Sequence, residues 1–143
     1  MIRQMLAAAI VIGLTVGPAP WAAGAVTFHP GAADLGDPLA PGLGNGGYTV
    51  SHYRIALNYH PDTGVLVGTT MLNPTLTENL SRFDLDFALP ARSVTVNGIP
   101  ATFRSVNGPE FSYNRDLVVT PAHGLPAGSR VTVVVTYRAG LPT

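Results

Sequence analysis

The feature that most constrains the fold of this chain is a strict alternation of apolar and polar residues. Residues 53–59 read Tyr-Arg-Ile-Ala-Leu-Asn-Tyr, so a large apolar side chain occupies every second position. Successive side chains of a β-strand point to opposite faces, and this period therefore predicts a half-buried strand. The same alternation recurs in residues 83–89 and 131–137. Beyond the apolar N-terminus, no segment shows the period of an amphipathic helix.

Turn signals separate these segments at short intervals. Pro61-Asp62-Thr63-Gly64 follows the first strand and predicts a hairpin connection, with residues 65–72 as the returning strand. Asn97-Gly98 is the strongest hairpin signal in the chain, and residues 101–106 are predicted to return from it. Residues 116–120 add a further short strand. The spacing predicts an all-β fold, an antiparallel β-sandwich or saddle-like sheet domain.

The first 25 residues have the features of a signal peptide. Arg3 supplies a positive charge, an apolar run follows, and Ala23-Gly24-Ala25 fits the small-residue rule for cleavage. We predict cleavage after Ala25 and a secreted, extracellular product, with an uncleaved signal anchor as the alternative. The run is shorter than the ~20 residues that span a bilayer. Residues 26–47 are predicted to be a flexible or irregular lead-in to a β domain over residues 48–143.

Charge balance and the lack of cysteine exclude several classes of function. Eight basic residues balance eight acidic ones, so the formal net charge is +0 at pH 7. Nucleic acid and, after signal cleavage, membrane surfaces are therefore not expected partners. With no cysteine, the chain has neither a disulfide nor a thiol nucleophile. Every basic residue is arginine, and Ala, Gly and Pro are abundant, as in products of GC-rich bacterial genomes.

A glycine-rich stretch, Gly44-Asn45-Gly46-Gly47, raises the question of a phosphate-binding loop. Such a loop leads from a strand into a helix N-terminus and usually carries a lysine. Here no strand is predicted before the glycines, a strand follows them, and the sequence has no lysine. We interpret the stretch as a lead-in in which glycines allow a tight turn.

Neither the histidines nor the carboxylates form a recognisable site. The four histidines are His29, His52, His60 and His123, and none has a second histidine four residues away, as a helical zinc pair requires. His52 and His60 share a face if their strand is straight, which leaves a metal site there as an alternative to ordinary surface positions. Asp84 and Asp86 also share a face, and we interpret them as the solvated side of their strand rather than as paired catalytic carboxylates. No catalytic, cofactor-binding or metal-binding residue is assigned.

Several stretches together resemble the N-terminal β domain of secreted bacterial aminopeptidases of the aminopeptidase N family, which are zinc metallopeptidases. The stretches are PGLGNGGYTVSHYRIALNYHPDTGVLVGTTML, LSRFDLDF, SVTVNGIPATF and DLVVTPAHGLPAGSRVTVVVTYRAG, in that order. His52-Tyr53 matches the family's first strand, Asp84-Leu85-Asp86-Phe87 matches a Leu-Asp-Leu-like element, and residues 94–98 match a valine-rich strand turning at Asn-Gly. The resemblance covers about residues 38–140.

The sequence departs from the family in three places. Arg54, Ala56 and Asn58 stand where the family often has acidic residues, and residues 107–114 look inserted. The sequence ends at Thr143, before the family's catalytic domain with its Gly-Ala-Met-Glu-Asn loop and its zinc-binding His-Glu-x-x-His helix. Neither motif occurs here, so the resemblance assigns no functional residue in this chain. The zinc cofactor is expected only in a full-length parent.

These features predict a partial, non-catalytic N-terminal domain of an aminopeptidase N-like protein. The parent would remove N-terminal amino acids from peptides, and its catalytic domain would be the partner of this chain. The alternative is a stand-alone secreted β-sandwich binding module that acts through loops or an exposed edge strand. A self-contained hydrolase is a third interpretation that no residue constellation supports. We also expect self-association through the valine-rich strand at residues 130–138, where an unpaired edge would be exposed.

Overall fold

The computed structural model of the chain describes residues 24–106 and 115–140. These residues form nine β-strands and one short 3-10 helix over Pro61–Thr63. The strands are β1 (His29–Pro30), β2 (Tyr48–His60), β3 (Val65–Leu76), β4 (Leu80–Asp86), β5 (Ala91–Val96), β6 (Ile99–Pro100), β7 (Thr102–Val106), β8 (Asp116–Thr120) and β9 (Val133–Gly140). The all-β fold predicted from the alternation is confirmed.

The strands are arranged in two sheets with one apolar core. The first sheet has the order β1-β4-β8-β7 and is antiparallel apart from the parallel pair of β1 and β4. The second has the order β2-β3-β9-β5-β6 and is antiparallel throughout. Both sheets contribute to the core, which comprises Leu72, Leu76, Leu80, Phe83, Leu85, Val94, Val96, Leu117, Val119, Leu125, Val131, Val133, Val135 and Tyr137.

The two predicted hairpin turns form as expected. Gly64 ends the 3-10 turn between β2 and β3 with a φ of 63°, a left-handed value that glycine adopts at little cost. Asn97 and Gly98 join β5 to β6 with φ values of 52° and 78°. Positive φ at both central residues characterises the hairpin turns whose twist matches that of the flanking strands. The side chain of Asn97 also accepts a hydrogen bond of 2.8 Å from the backbone N–H of Thr132.

The strand that returns from Asn97-Gly98 differs from the prediction. Ile99 and Pro100 pair with β5, and the backbone N–H of Ala101 still donates to the carbonyl of Val94 in β5 (3.0 Å). The chain then crosses to the other sheet, where Thr102–Val106 pairs with β8. The predicted single strand over 101–106 is thus a second element in the opposite layer, and the crossing links the two sheets.

Strand β9 lies at the centre of the five-stranded sheet. Val133, Val135 and Tyr137 are buried, whereas Val134 between them is only partly covered, which confirms the predicted alternation. The strand pairs with β3 on one side and β5 on the other. The premise that residues 130–138 expose an unpaired edge is therefore wrong. The sequence shows that this run is apolar, but it does not show that a strand pairs with it on each side.

Strand β2 contradicts the prediction of a half-buried strand. It is the edge strand of the five-stranded sheet, and residues 51–60 are exposed on both faces. Tyr53 and Ile55 point to the same side as the buried Leu72 of β3, yet they are 55% and 60% exposed. The apolar face of the sheet thus continues into β2, where the described residues leave it uncovered.

The lead-in contains more structure than predicted. His29 and Pro30 form β1 alongside β4, and the backbone N–H of Gly31 donates to the carbonyl of Arg82 (2.9 Å). The segment then folds on itself, with the N–H of Gly46 donating to the carbonyl of Ala32 (2.8 Å). These bonds tie residues 29–46 to the four-stranded sheet.

Two features of the sequence lie outside the described residues. They are most of the predicted signal peptide, residues 1–23, and the inserted-looking stretch 107–114. Within the described part of the chain, no helix has the length and apolar character needed to cross a membrane.

Candidate functional site

A cavity of about 600 Å³ lies between the two sheets, at the end where β2 overhangs the core. Its floor includes Leu72, Val135 and Tyr137 of the five-stranded sheet. Its walls come from β2 on one side and from the segment that follows β4 on the other, comprising Tyr53, Ile55, Phe87, Ala88 and Leu89. The volume lies within the range typical of small-molecule sites, about 300–1,000 Å³.

The polar end of the cavity is built by the glycine-rich stretch and the end of β4. The backbone N–H of Gly44 donates to Oδ2 of Asp86 (3.0 Å), and Nδ2 of Asn45 donates to Oδ1 of the same carboxylate (3.2 Å). The stretch therefore holds a carboxylate of its own chain and leads directly into β2. Both observations fit the interpretation as a turn rather than as a phosphate loop.

Tyr48 closes the cavity near Asp86. Its hydroxyl donates a hydrogen bond of 2.7 Å to the backbone carbonyl of Asp84, and its ring packs edge-to-face on Phe83 with centroids 5.9 Å apart. Burial, together with the negative charges of Asp86 and Asp84, raises the pKa of Tyr48 well above its ordinary value. The phenol therefore stays protonated near neutral pH and acts as a hydrogen-bond donor, not as a base.

Asp84 corrects the interpretation of a solvated carboxylate face on β4. Its side chain is 2% exposed, whereas Asp86 is exposed at the end of the strand. Burial raises the pKa of Asp84, and the guanidinium groups of Arg82 and Arg104 partly oppose that rise. Asp84 pairs with the buried Val118 of β8, and Arg82 and Arg104 lie close enough to act on its charge. Because Asp84 is buried and Asp86 is not, the two carboxylates do not form an accessible pair.

The histidines are dispersed over the described residues. His29 contacts Glu78 at 3.7 Å, and both side chains are about half exposed. His52 and His60 lie in exposed parts of β2, and His123 borders a separate, smaller cavity. In residues 24–106 and 115–140, no three His, Asp or Glu side chains are close enough together to hold a metal ion.

The arrangement has the features of a small ligand-binding cavity. The cavity offers an apolar floor and walls, with a carboxylate, an amide and a phenol at one end. Sequence reasoning missed Asn45, Tyr48 and Tyr137 as lining residues. Little in the sequence indicated this role, because Asn45 lies just before β2, Tyr48 begins it, and Tyr137 has the pattern of an ordinary core residue of β9.

The comparisons with known proteins agree with this architecture. Neither a protein-family profile nor a curated protein matches the sequence. A two-domain M1 zinc metallopeptidase bound to L-arginine matches with a TM-score of 0.56 and 28% identity, over 73% of this chain and 23% of that chain. The M1 zinc metallopeptidase from Deinococcus radiodurans matches with a TM-score of 0.55 and 28% identity, over 72% and 22%. Yeast LTA4 hydrolase shares the fold at 20% identity and a TM-score of 0.53, over 64% and 14%.

The chain thus contains a two-sheet β domain of the kind found in larger zinc enzymes. More specifically, the domain is similar to part of the M1 zinc metallopeptidases, which confirms the resemblance drawn from the sequence motifs. The chain spans about 23% of the length of the first of these structures.

Proposed function

We propose that this chain is a non-catalytic N-terminal structural domain of an M1-type zinc aminopeptidase. The observation that carries the proposal is the structural match over 73% of this chain at 28% identity. The order of the sequence motifs supports it independently, because His52-Tyr53, Asp84-Leu85-Asp86-Phe87 and the Asn97-Gly98 turn occur in the family's order.

In this proposal the domain braces a catalytic domain and helps to wall the substrate cavity. Zinc and the peptidase chemistry belong to that catalytic domain, and the described residues contribute no metal ligands. The signal-peptide features of residues 1–25 support a location outside the cell. The stand-alone binding module is the second candidate, and the cavity beside Asp86 is the observation that favours it.

A domain exchange tests the structural role. The equivalent segment of the Deinococcus radiodurans M1 metallopeptidase would be replaced by residues 26–143 of this chain. A structural complex of that enzyme contains the peptide Tyr-Ser-Ala, which therefore serves as the substrate. We expect the chimera to retain zinc and measurable cleavage, and a variant with the segment deleted to lose both. A chimera no better than the deletion variant would contradict the proposed bracing role.

The purified chain tests its non-catalytic character. A zinc site needs three or four correctly placed ligands. We therefore expect no stoichiometric zinc and no release of amino acids from aminoacyl reporter substrates. One tightly bound zinc, with turnover lost on chelation, would overturn the proposal for this chain.

A further inference from the structure

The cavity between the two sheets has one charged group at its polar end and apolar surface over most of its walls. The charge is the carboxylate of Asp86, and no arginine or histidine of the described residues lines the cavity. No basic side chain of the lining therefore neutralises that carboxylate. The cavity has a negative end, which favours an occupant with a positive charge.

Asn45 places a second acceptor beside this carboxylate. Its Nδ2 donates to Oδ1 of Asp86 (3.2 Å), whereas its own Oδ1 is buried and has no hydrogen-bond partner among the described residues. Folded proteins rarely leave a buried polar atom unpaired. Each oxygen of Asp86 accepts one of the described hydrogen bonds, from Gly44 or from Asn45, and keeps a further lone pair. Both side chains can thus accept hydrogen bonds from a ligand.

Aromatic rings form much of the remaining wall. Phe87 and Tyr137 pack edge-to-face with centroids 5.2 Å apart, and both line the cavity together with Tyr48 and Tyr53. The faces of such rings attract cations, and their carbon surface packs well against an apolar body. The walls therefore suit a ligand that is apolar apart from a single cationic end.

Beyond the proposed structural role, we propose that the cavity binds a small primary amine with an aromatic or aliphatic body and no carboxylate. The ammonium group donates hydrogen bonds to Asp86 and to Oδ1 of Asn45. The apolar body packs against Leu72, Phe87 and Tyr137. An ammonium group has three N–H donors and no acceptor, which matches an end of the cavity that offers acceptors. A carboxylate on the ligand would be repelled by Asp86.

Other occupants fit the same residues less well. A metal ion such as Ca²⁺ takes about six to eight oxygen ligands. In residues 24–106 and 115–140, no three His, Asp or Glu side chains are close enough together to hold one. An anion would meet the carboxylate of Asp86 without a basic group to offset it. A neutral apolar molecule would cover that carboxylate and Oδ1 of Asn45 without giving either a partner, which is unfavourable.

Calorimetric titration of the full chain with matched probes tests the charge preference. The probes are phenethylamine, phenethyl alcohol and hydrocinnamate, which share a phenyl ring and differ in their end group. We expect saturable binding of the amine, binding of the alcohol that is about tenfold weaker, and none of the carboxylate. Phenylalanine, which adds a carboxylate to the amine, should bind more weakly than the amine. Equal binding of amine and alcohol, or no saturable binding of the amine, would overturn the proposal.

Asp86→Asn tests the role of the carboxylate. We expect it to weaken binding of phenethylamine about tenfold and to leave binding of the alcohol nearly unchanged. Asp37→Asn is the matched control, because Asp37 also accepts a backbone N–H, from Leu39 (2.8 Å), but does not line the cavity. The control should bind the amine like wild type. Equal losses in both variants would refute the role of Asp86. Far-ultraviolet circular dichroism verifies that each variant is folded.

Two further measurements locate the ligand even if Asp86→Asn does not fold. Ala88→Phe fills the cavity without removing a polar group, and it should weaken binding of amine and alcohol alike. In nuclear magnetic resonance spectra of wild type, phenethylamine should shift the backbone N–H of Gly44 and the side-chain amide of Asn45, which both contact Asp86. Unchanged binding by Ala88→Phe, or shifts confined to the smaller cavity beside His123, would contradict the proposed site.

Discussion

At the scale of single residues, two polar side chains near the cavity, those of Tyr48 and Asp84, affect folding stability in opposite directions. Tyr48 is neutral, and its hydroxyl bonds the backbone carbonyl of Asp84. The carboxyl group of Asp84 is covered on β4, and burial raises its pKa. The Tyr48 hydrogen bond and the burial of Asp84 exist only in the folded chain. Each therefore leads to a testable prediction about folding stability.

Removal of the Tyr48 hydroxyl should destabilise the domain. In Tyr48→Phe the carbonyl of Asp84 loses its donor at a part-buried position, which costs about 1–3 kcal/mol. The control is Tyr59→Phe, where the ring is 49% exposed and the change should stay within about 0.5 kcal/mol. Urea unfolding at low protein concentration measures both values. Equal effects of the two substitutions would show that the Tyr48 hydrogen bond contributes nothing specific.

The raised pKa of Asp84 predicts a particular pH dependence. The folded state binds this proton more tightly than the unfolded state, so stability falls as pH rises from about 4 through the folded pKa. In Asp84→Asn that fall is absent, and the variant should gain stability relative to wild type between about pH 4 and pH 7. Urea unfolding at both pH values tests the sign. The prediction fails if the difference between the two proteins is the same at both.

At the scale of elements, the pairing of β3 with β9 depends on a close approach. Gly68 lies opposite Tyr137, whose ring occupies the space that a β-carbon at position 68 would need. That ring is fixed on two sides, because its hydroxyl lies 3.2 Å from Oγ1 of Thr70 and it packs edge-to-face on Phe87. The glycine is thus required by packing rather than by its backbone conformation.

Gly68→Ala should therefore destabilise the domain by about 1–3 kcal/mol, because Tyr137 must move out of a packed position. Gly140→Ala is the matched control on β9, since no atom of the described residues lies within 4 Å of its β-carbon position. Thermal unfolding of both variants tests the prediction. A second substitution, Tyr137→Leu, should remove much of the difference if the ring is the cause.

At the scale of the whole molecule, the apolar inner face of the five-stranded sheet is covered by the described residues except at β2. The apolar inner surface extends from the core through the cavity to the exposed apolar side chains of β2, which are Tyr53, Ile55, Leu57 and Tyr59. An uncovered apolar surface next to a long free edge is the setting for association. Such a surface fits a catalytic domain, as in the proposed function.

The last prediction concerns the whole chain, which we expect to be exported from the cell with its signal peptide removed. The small residues Ala23 and Ala25 predict cleavage between Ala25 and Val26. N-terminal sequencing of secreted material should start at Val26, and replacing both alanines by glutamine should leave the chain unprocessed. A mature protein that begins at Met1 would contradict a cleaved signal peptide.

The sequence by itself determined the features that depend on neighbouring residues alone, namely the strands and the tight turns. A period of two predicts strands wherever it occurs, and positive φ at Asn97 and Gly98 follows from the residue types that tolerate it. Only the tertiary structure decided what covers each strand. Alternation shows which side chains share a face, but not whether a second layer lies over that face. For this reason β2 is exposed, Asp84 is buried and β9 is central, although their local patterns suggested otherwise. The crossing at Ala101 and the cavity beside Tyr48 likewise arise from contacts between residues far apart in the sequence.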